Sequence, residues 1–239
     1  MKKFAVIALV ILFVVASGCL SVESETQEVP PEDGLRIMFI TPLYNHPIWD
    51  VAKDGFEQAA VDLSFGPEYL GPQYIDPDEM TNLIDKAIAS KVDGVITMPI
   101  DPVPMRAAFA KCEEAGIPVV FVGSVDPEST SIAYVGTDTY DLGRTGAQVL
   151  MKKFDGEPIK AVIMQSTKEA SFAIESRDGY LQAFADYPDF EMVVNEVCNS
   201  DMVIAMQKYE SIFKTYPEIN TVIGVCGEAG PAAPPRPAC

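Results

Sequence analysis

From Leu35 onward, short runs of wholly apolar, β-rich residues alternate with longer stretches whose apolar residues recur at helical spacing. A strand that is apolar at every position must be covered on both faces, and amphipathic segments between such strands supply the cover. The alternation therefore demands α/β architecture with parallel sheets. LRIMFIT (35–41) predicts the first strand, and Val51, Ala52, Phe56, Ala59, Ala60 and Leu63 mark a helix over 48–63. A weak strand follows over 69–75, and Pro77 and Asp78 open a helix to Ser90. Strands at 93–98, 117–123, 131–136, 159–164, 190–197 and 219–225 are expected, with helices at 102–115, 140–154, 170–186 and 201–216.

One step breaks the rhythm. Strands 117–123 and 131–136 are separated by a Pro/Ser/Thr loop and no helix, and a fresh βα series starts at Asp138-Thr139. The break predicts two Rossmann-like lobes, 35–137 and 138–230, with the second incomplete. Loops at the C-terminal ends of the strands then face an interlobe cleft, the expected ligand site of open α/β sheets. After 219–225, CGEAGPAA reads as the start of another helix, but the prolines of PPRPAC cannot continue one. A truncated second lobe with a Pro-rich tail over 231–239 is the expectation.

The N-terminus reads as an export signal. Lys2 and Lys3 precede an apolar run from Phe4 to Ala16, and Ala16-Ser17-Gly18 supplies small residues before Cys19. The run is short of the roughly 20 residues of a membrane span. A cysteine at this point resembles the lipobox of exported lipoproteins, which implies an acylated Cys19 and a lipid anchor to the membrane. A plain signal peptide or a short uncleaved anchor is the alternative. Both place the rest of the chain outside the cytoplasm, beyond an acidic, proline-punctuated tether over 20–34.

A formal net charge of -18 leaves no basic face for nucleic acid. The five cysteines have no CxxC spacing, so neither a zinc site nor a disulfide framework is expected. A Cys198–Cys226 bridge is open to an exported chain but is not selected by spacing, and free, mostly buried thiols are the expectation. There is no GxxxxGK[ST] or GxGxxG for nucleotides and no GxSxG or HExxH for hydrolysis, so no cofactor, metal or enzymatic activity is expected.

Several segments in order carry a family resemblance: YNHPIWDVAKDGFEQAA (44–60), DGVITMPID (93–101), AGIPVVFVGS (115–124), YVGTDTYDLG (134–143) and SRDGYLQAF (176–184). Together they resemble the sugar-binding type of periplasmic solute-binding protein, the ribose-, galactose- and xylose-binding group that feeds ABC transporters. The resemblance implies a type I periplasmic-binding-protein fold, a monomer that closes on a monosaccharide, and an ABC permease as partner. It also implies further βα units after residue 233.

A sugar needs aromatic faces to stack on and polar side chains around its rim. The resemblance implies these contacts from Asn45, His46 and Trp49 after the first strand, although His46 interrupts the family's Asn-Pro pair. Packing at the helix start is the competing reading for Trp49. It also implies Asp101, for which an N-cap role is equally open, and Ser124, followed by Asp126. In the second lobe it implies Glu175 and Arg177, ahead of Gly179-Tyr180, with an Arg177 ion pair to Asp178 or Glu175 as the alternative. Glu228 completes the set, and Asp138 is read as an N-cap. Three other functions stay open: a nucleoside or autoinducer receptor or sensor input domain; an exported enzyme acting on sugars, with Asp101 and Glu228 as its carboxylates; and a non-functional fragment.

Overall fold

A computed structural model describes residues 34–235. The export signal, Cys19, most of the tether and the last four residues of the tail lie outside the described residues. Among the described residues no helix is long and apolar enough to cross a membrane.

Each apolar run of the alternation forms a strand. β1 (Arg36–Ile40), β2 (Gly66–Leu70), β3 (Gly94–Thr97), β4 (Val119–Val122) and β5 (Ala133–Val135) make a parallel sheet in the order β2-β1-β3-β4-β5. Ile37 of β1 stands opposite Pro67 on one side and Gly94 on the other. Between the strands run α1 (Pro47–Leu63), α2 (Pro77–Ala89) and α3 (Pro102–Glu114). All three start on proline, whose missing N–H and fixed φ suit the first turn. Asp76 caps α2 by accepting from the Asp78 and Glu79 amides, both at 3.0 Å.

β2 ends earlier than the 69–75 reading. The exit of α1 delivers Gly66 directly to β1, where its amide donates to the Leu35 carbonyl at 2.7 Å. The ladder then runs out at Leu70, whose carbonyl accepts from the Thr41 amide at 2.8 Å. Pro72 just beyond has no N–H to extend it.

The chain then crosses to a second, smaller sheet. β6 (Ile159–Gln165), β7 (Phe190–Val197) and β8 (Thr221–Gly224) are parallel in the order β7-β6-β8. α4 (Thr139–Phe154), α5 (Ser171–Phe184), α6 (Met202–Thr215) and the short α7 (Ala229–Ala232) complete it. Asp138 caps α4, accepting from the Asp141 amide at 2.8 Å.

The cores follow from this layering. Under α2 and α3, one continuous cluster joins Met80, Ile84, Met105 and Phe109 to Met38, Ile40, Val95 and Phe121 of the sheet. The Phe109 and Phe121 rings meet edge-on at 5.0 Å. The narrow second sheet has a separate cluster on each face. Tyr209 and Ala205 of α6 pack on Val162 and Met164, while Ala147 of α4 and Phe184 of α5 pack on Ala161 and Ile163. α4 and α5 approach backbone to backbone: a Cβ added at Gly143 would lie 2.0 Å from the Ser176 carbonyl oxygen, and one at Gly179 would lie 2.1 Å from that of Tyr140. β5, at the end of the first sheet, is exposed at all three positions.

Candidate ligand-binding cleft

Because every strand is parallel within its sheet, the loops leaving the strand C-termini gather on one side, where open α/β sheets hold their ligands. A cleft of about 410 Å³ lies there. Ile75, Pro77, Ile100 and Asp101 line it from the first half. The second half contributes Ser166 to Glu169 after β6, Glu196 and Val197 at the end of β7, Asn199 beyond it, and Lys208 of α6. Apolar and charged groups both line it, and the volume suits a small polar molecule.

Its electrostatics are built from named pairs. Lys208 Nζ donates to Glu196 Oε2 at 2.6 Å, which holds the Glu196 carboxyl below its usual range. Thr167 donates its hydroxyl proton to Glu169, whose Oε2 also accepts from the Lys168 amide at 2.9 Å. Glu169 is lowered accordingly, with the Thr167 bond the largest cause. Asp101 moves the other way. Burial raises it first and the Glu169 charge second, while the Val103 amide pulls it back. The floor is bent under backbone constraint: Asn199 (φ 54°) and Ser200 (φ 52°) are both left-handed, a conformation asparagine tolerates better than serine. The Asn199 amide donates to the Ser166 carbonyl at 3.1 Å, tying the loops after β6 and β7. Among the described residues, the Ser166 hydroxyl and the Gln165 amide group are buried without hydrogen-bond partners, polar capacity held at the base of this loop.

Asp101 lies in this cleft, as the N-cap residue of α3. The other sequence-nominated residues are not among its lining. Asn45 is exposed, and its Nδ2 donates to Gln73 Oε1 at 3.0 Å. His46 is the N-cap of α1, and its Nε2 lies 2.5 Å from Glu228 Oε1, a contact across 182 residues of sequence that joins the two halves. Glu228 is 9% exposed in its side chain, with Oε2 buried and unpartnered. Trp49 packs against the first-half core, edge-on to Phe39 at 6.1 Å. Ser124 is buried, and its hydroxyl pairs with that of Ser171 at 2.8 Å, a second joint between the halves. Phe172 of α5, packed against the first-half core, makes a third. Glu175 accepts from the Thr139 hydroxyl at 2.5 Å, linking α5 to α4. Arg177 is engaged by its neighbour Asp178, at 2.9 Å from Nε and 2.7 Å from Nη2.

Sequence reading passed over Lys168, Glu169, Glu196, Asn199 and Lys208. The signal available for most of them was position alone, since the first four stand at or just after the ends of β6 and β7. It also passed over Arg106, whose Nε and Nη2 clamp the buried Asp126 at 2.8 and 3.0 Å behind Ser124. Of possible metal ligands, the donor atoms of Cys198, Cys226 and Glu228 lie within 4.8 Å of one another.

Residues 37–234 match the periplasmic binding protein domain family. The chain belongs to this family. Membership implies an extracytoplasmic location. A D-apiose import binding protein of Actinobacillus succinogenes is 24% identical over 196 residues, covering 80% of this chain and 61% of that protein. This chain thus spans about three fifths of the relative's length. GanP, a glucose-galactose binding protein from Geobacillus stearothermophilus, superimposes with a TM-score of 0.80 at 25% identity, over 84% of this chain and 71% of GanP. XylFII, solved alone and in a complex with LytSN, superimposes with a TM-score of 0.79 at 26% identity, over 84% of this chain and 73% of its own.

Proposed function

We propose that this periplasmic binding protein is the substrate receptor of an ABC-type importer and captures a monosaccharide in the cleft between its halves. One observation carries the reading: carboxylates, lysines, an amide and hydroxyls from α6 and from the loops and ends of β3, β6 and β7 converge from both halves on a small cavity with apolar patches. A sugar presents that same combination of C–H faces and rim hydroxyls. The relatives' names, apiose import and glucose-galactose binding, support the same ligand class. The receptor works without catalysis. Contacts from both walls favour the joined arrangement of the halves and shift its population. Asp101 in the cleft, together with Asn45, His46, Trp49, Ser124, Glu175, Arg177 and Glu228 outside its lining, is proposed as the ligand-responsive set. The chain acts as a monomer, tethered to the membrane through acylated Cys19, and delivers its ligand to a permease.

Calorimetry of the full chain against aldopentoses and aldohexoses tests this. Saturable heat with at least one sugar is expected, and Asp101→Ala weakens it about tenfold or more, the loss of one charged hydrogen bond. Absence of saturable heat across the panel would overturn the reading. A second reading has its own support: XylFII has been solved with LytSN. In it, the loaded chain reports to a signalling partner, and a sugar-dependent pull-down of a membrane protein other than a permease would favour it.

A further inference from the structure

The loops after β7 and β8 bring two thiols together. Cys198 and Cys226, 28 residues apart, place their Sγ atoms 3.4 Å from each other. Both are free, Cys198 fully buried and Cys226 half-buried. Each follows the end of its strand, and although β6 lies between β7 and β8, both ends are tied to it: the Cys198 amide donates to the Gln165 carbonyl and the Val225 amide to the Met164 carbonyl, each at 2.8 Å. The two Sγ atoms have to close from 3.4 Å to reach a bond of roughly 2.05 Å. The family's extracytoplasmic location supplies the oxidising surroundings in which such pairs persist.

We propose that Cys198 and Cys226 form a disulfide that staples the two second-half loops at the cleft. The bridge joins the residue before Asn199, which lines the cleft, to the residue two before Glu228, which meets His46 of the first half. The oxidant is an external disulfide, R–S–S–R. The more accessible Cys226 thiolate attacks one of its sulfurs, forming a mixed disulfide and expelling one RS⁻. Cys198 Sγ then attacks Cys226 Sγ, forming the internal bond and expelling the second RS⁻. The two thiol protons pass to the two RS⁻, so the protein loses two electrons and two protons while the external disulfide becomes two thiols. The 3.4 Å contact places Cys198 Sγ beside Cys226 Sγ for the second attack. Cys112 provides the contrast: it is fully buried, and burial pushes its thiol up to about 11. A zinc site from the same atoms is disfavoured, because Cys198, Cys226 and Glu228 are three ligands and structural zinc takes four. His46 Nε2 is already paired with Glu228.

The full, unaltered chain is incubated with oxidised glutathione, quenched in acid, alkylated under denaturing conditions and mapped by peptide mass spectrometry. The expected result is a Cys198 peptide linked to a Cys226 peptide, released by dithiothreitol, with Cys112 alkylated as a free thiol. Cys198→Ser traps glutathione on Cys226, whereas Cys226→Ser leaves Cys198 unmodified. The proposal is overturned if Cys198 and Cys226 are both alkylated after incubation, or if either is linked instead to Cys112 or Cys239. Retention of stoichiometric zinc, with the two thiols alkylated only after chelation, overturns it in favour of a metal site. The mapping stands on the unaltered chain even if a serine variant fails to fold.

Discussion

The two halves share one plan, parallel strands with helices between, but they reach stability differently. The first has five strands and a core cluster under α2 and α3 that runs unbroken from Met38 to Phe121, with Phe39 and Phe56 buried in a separate aromatic group beside α1. The second has three strands, and its core is split into a cluster on each side of β6. A narrow sheet offers less apolar area for side chains to cover, and the second half compensates by pressing α4 against α5 through Gly143 and Gly179. Both halves bury apolar clusters of similar extent, and the second adds the close backbone approach of α4 and α5. The polar cleft lining follows the same division, with its charged pairs drawn mainly from the half whose sheet is smaller.

Three measurements break or sharpen that contrast. The largest effect is expected from Phe109→Ala in the first half, where a fully buried ring loses its partner Phe121. A cost of about 3–5 kcal/mol should appear in urea unfolding. A cost under about 1 kcal/mol would mean that the core relaxes freely and is not the main support of that half. Next comes Gly179→Ala, where the new Cβ meets the Tyr140 carbonyl. Overpacking of this kind costs about 1–3 kcal/mol. The same change at Gly55, exposed on α1 with nothing within 4 Å of an added Cβ, should stabilise by about 0.5–1 kcal/mol. Equal effects at the two sites would remove the distinction between the halves.

The smallest effect is expected from acid. Arg106 holds the Asp126 carboxyl below its ordinary range, the hydrogen bond to Arg106 being the leading cause, with the Ser129 hydroxyl adding to it. The folded-state value is depressed, so this contribution is fully present above the unfolded value of about 3.9 and is lost as pH falls through the folded one. Unfolding midpoints measured from pH 5 downward should therefore decline, and Asp126→Asn should flatten part of that decline. An unchanged slope in the variant would remove the Arg106 clamp from the acid response.

Strand and helix order was legible because periodicity is a local property, and each run from Leu35 to Val225 announced its own type. β2 was misplaced because its start depends on where Gly66 meets Leu35, a contact no local pattern records. Site residues divide along the same line. Asp101 was readable as the residue after a strand and before a helix-opening proline. Lys168, Glu169, Asn199 and Lys208 carry no motif, and they become neighbours only because β7 and β6 lie side by side in the second sheet. His46 and Glu228 were each nominated alone, and their pairing needs both halves in place.

The joints between the halves have a thermal consequence. They are an imidazole on a carboxylate, the Ser171 hydroxyl on both the Ser124 hydroxyl and the Val125 amide, and a single phenyl ring. Water replaces the first two at little net cost, and only the ring adds apolar area when they part. Heat capacity changes with apolar exposure. Opening about these joints therefore carries almost no heat-capacity change, and the balance between parted and joined halves should drift little between a cold and a warm environment.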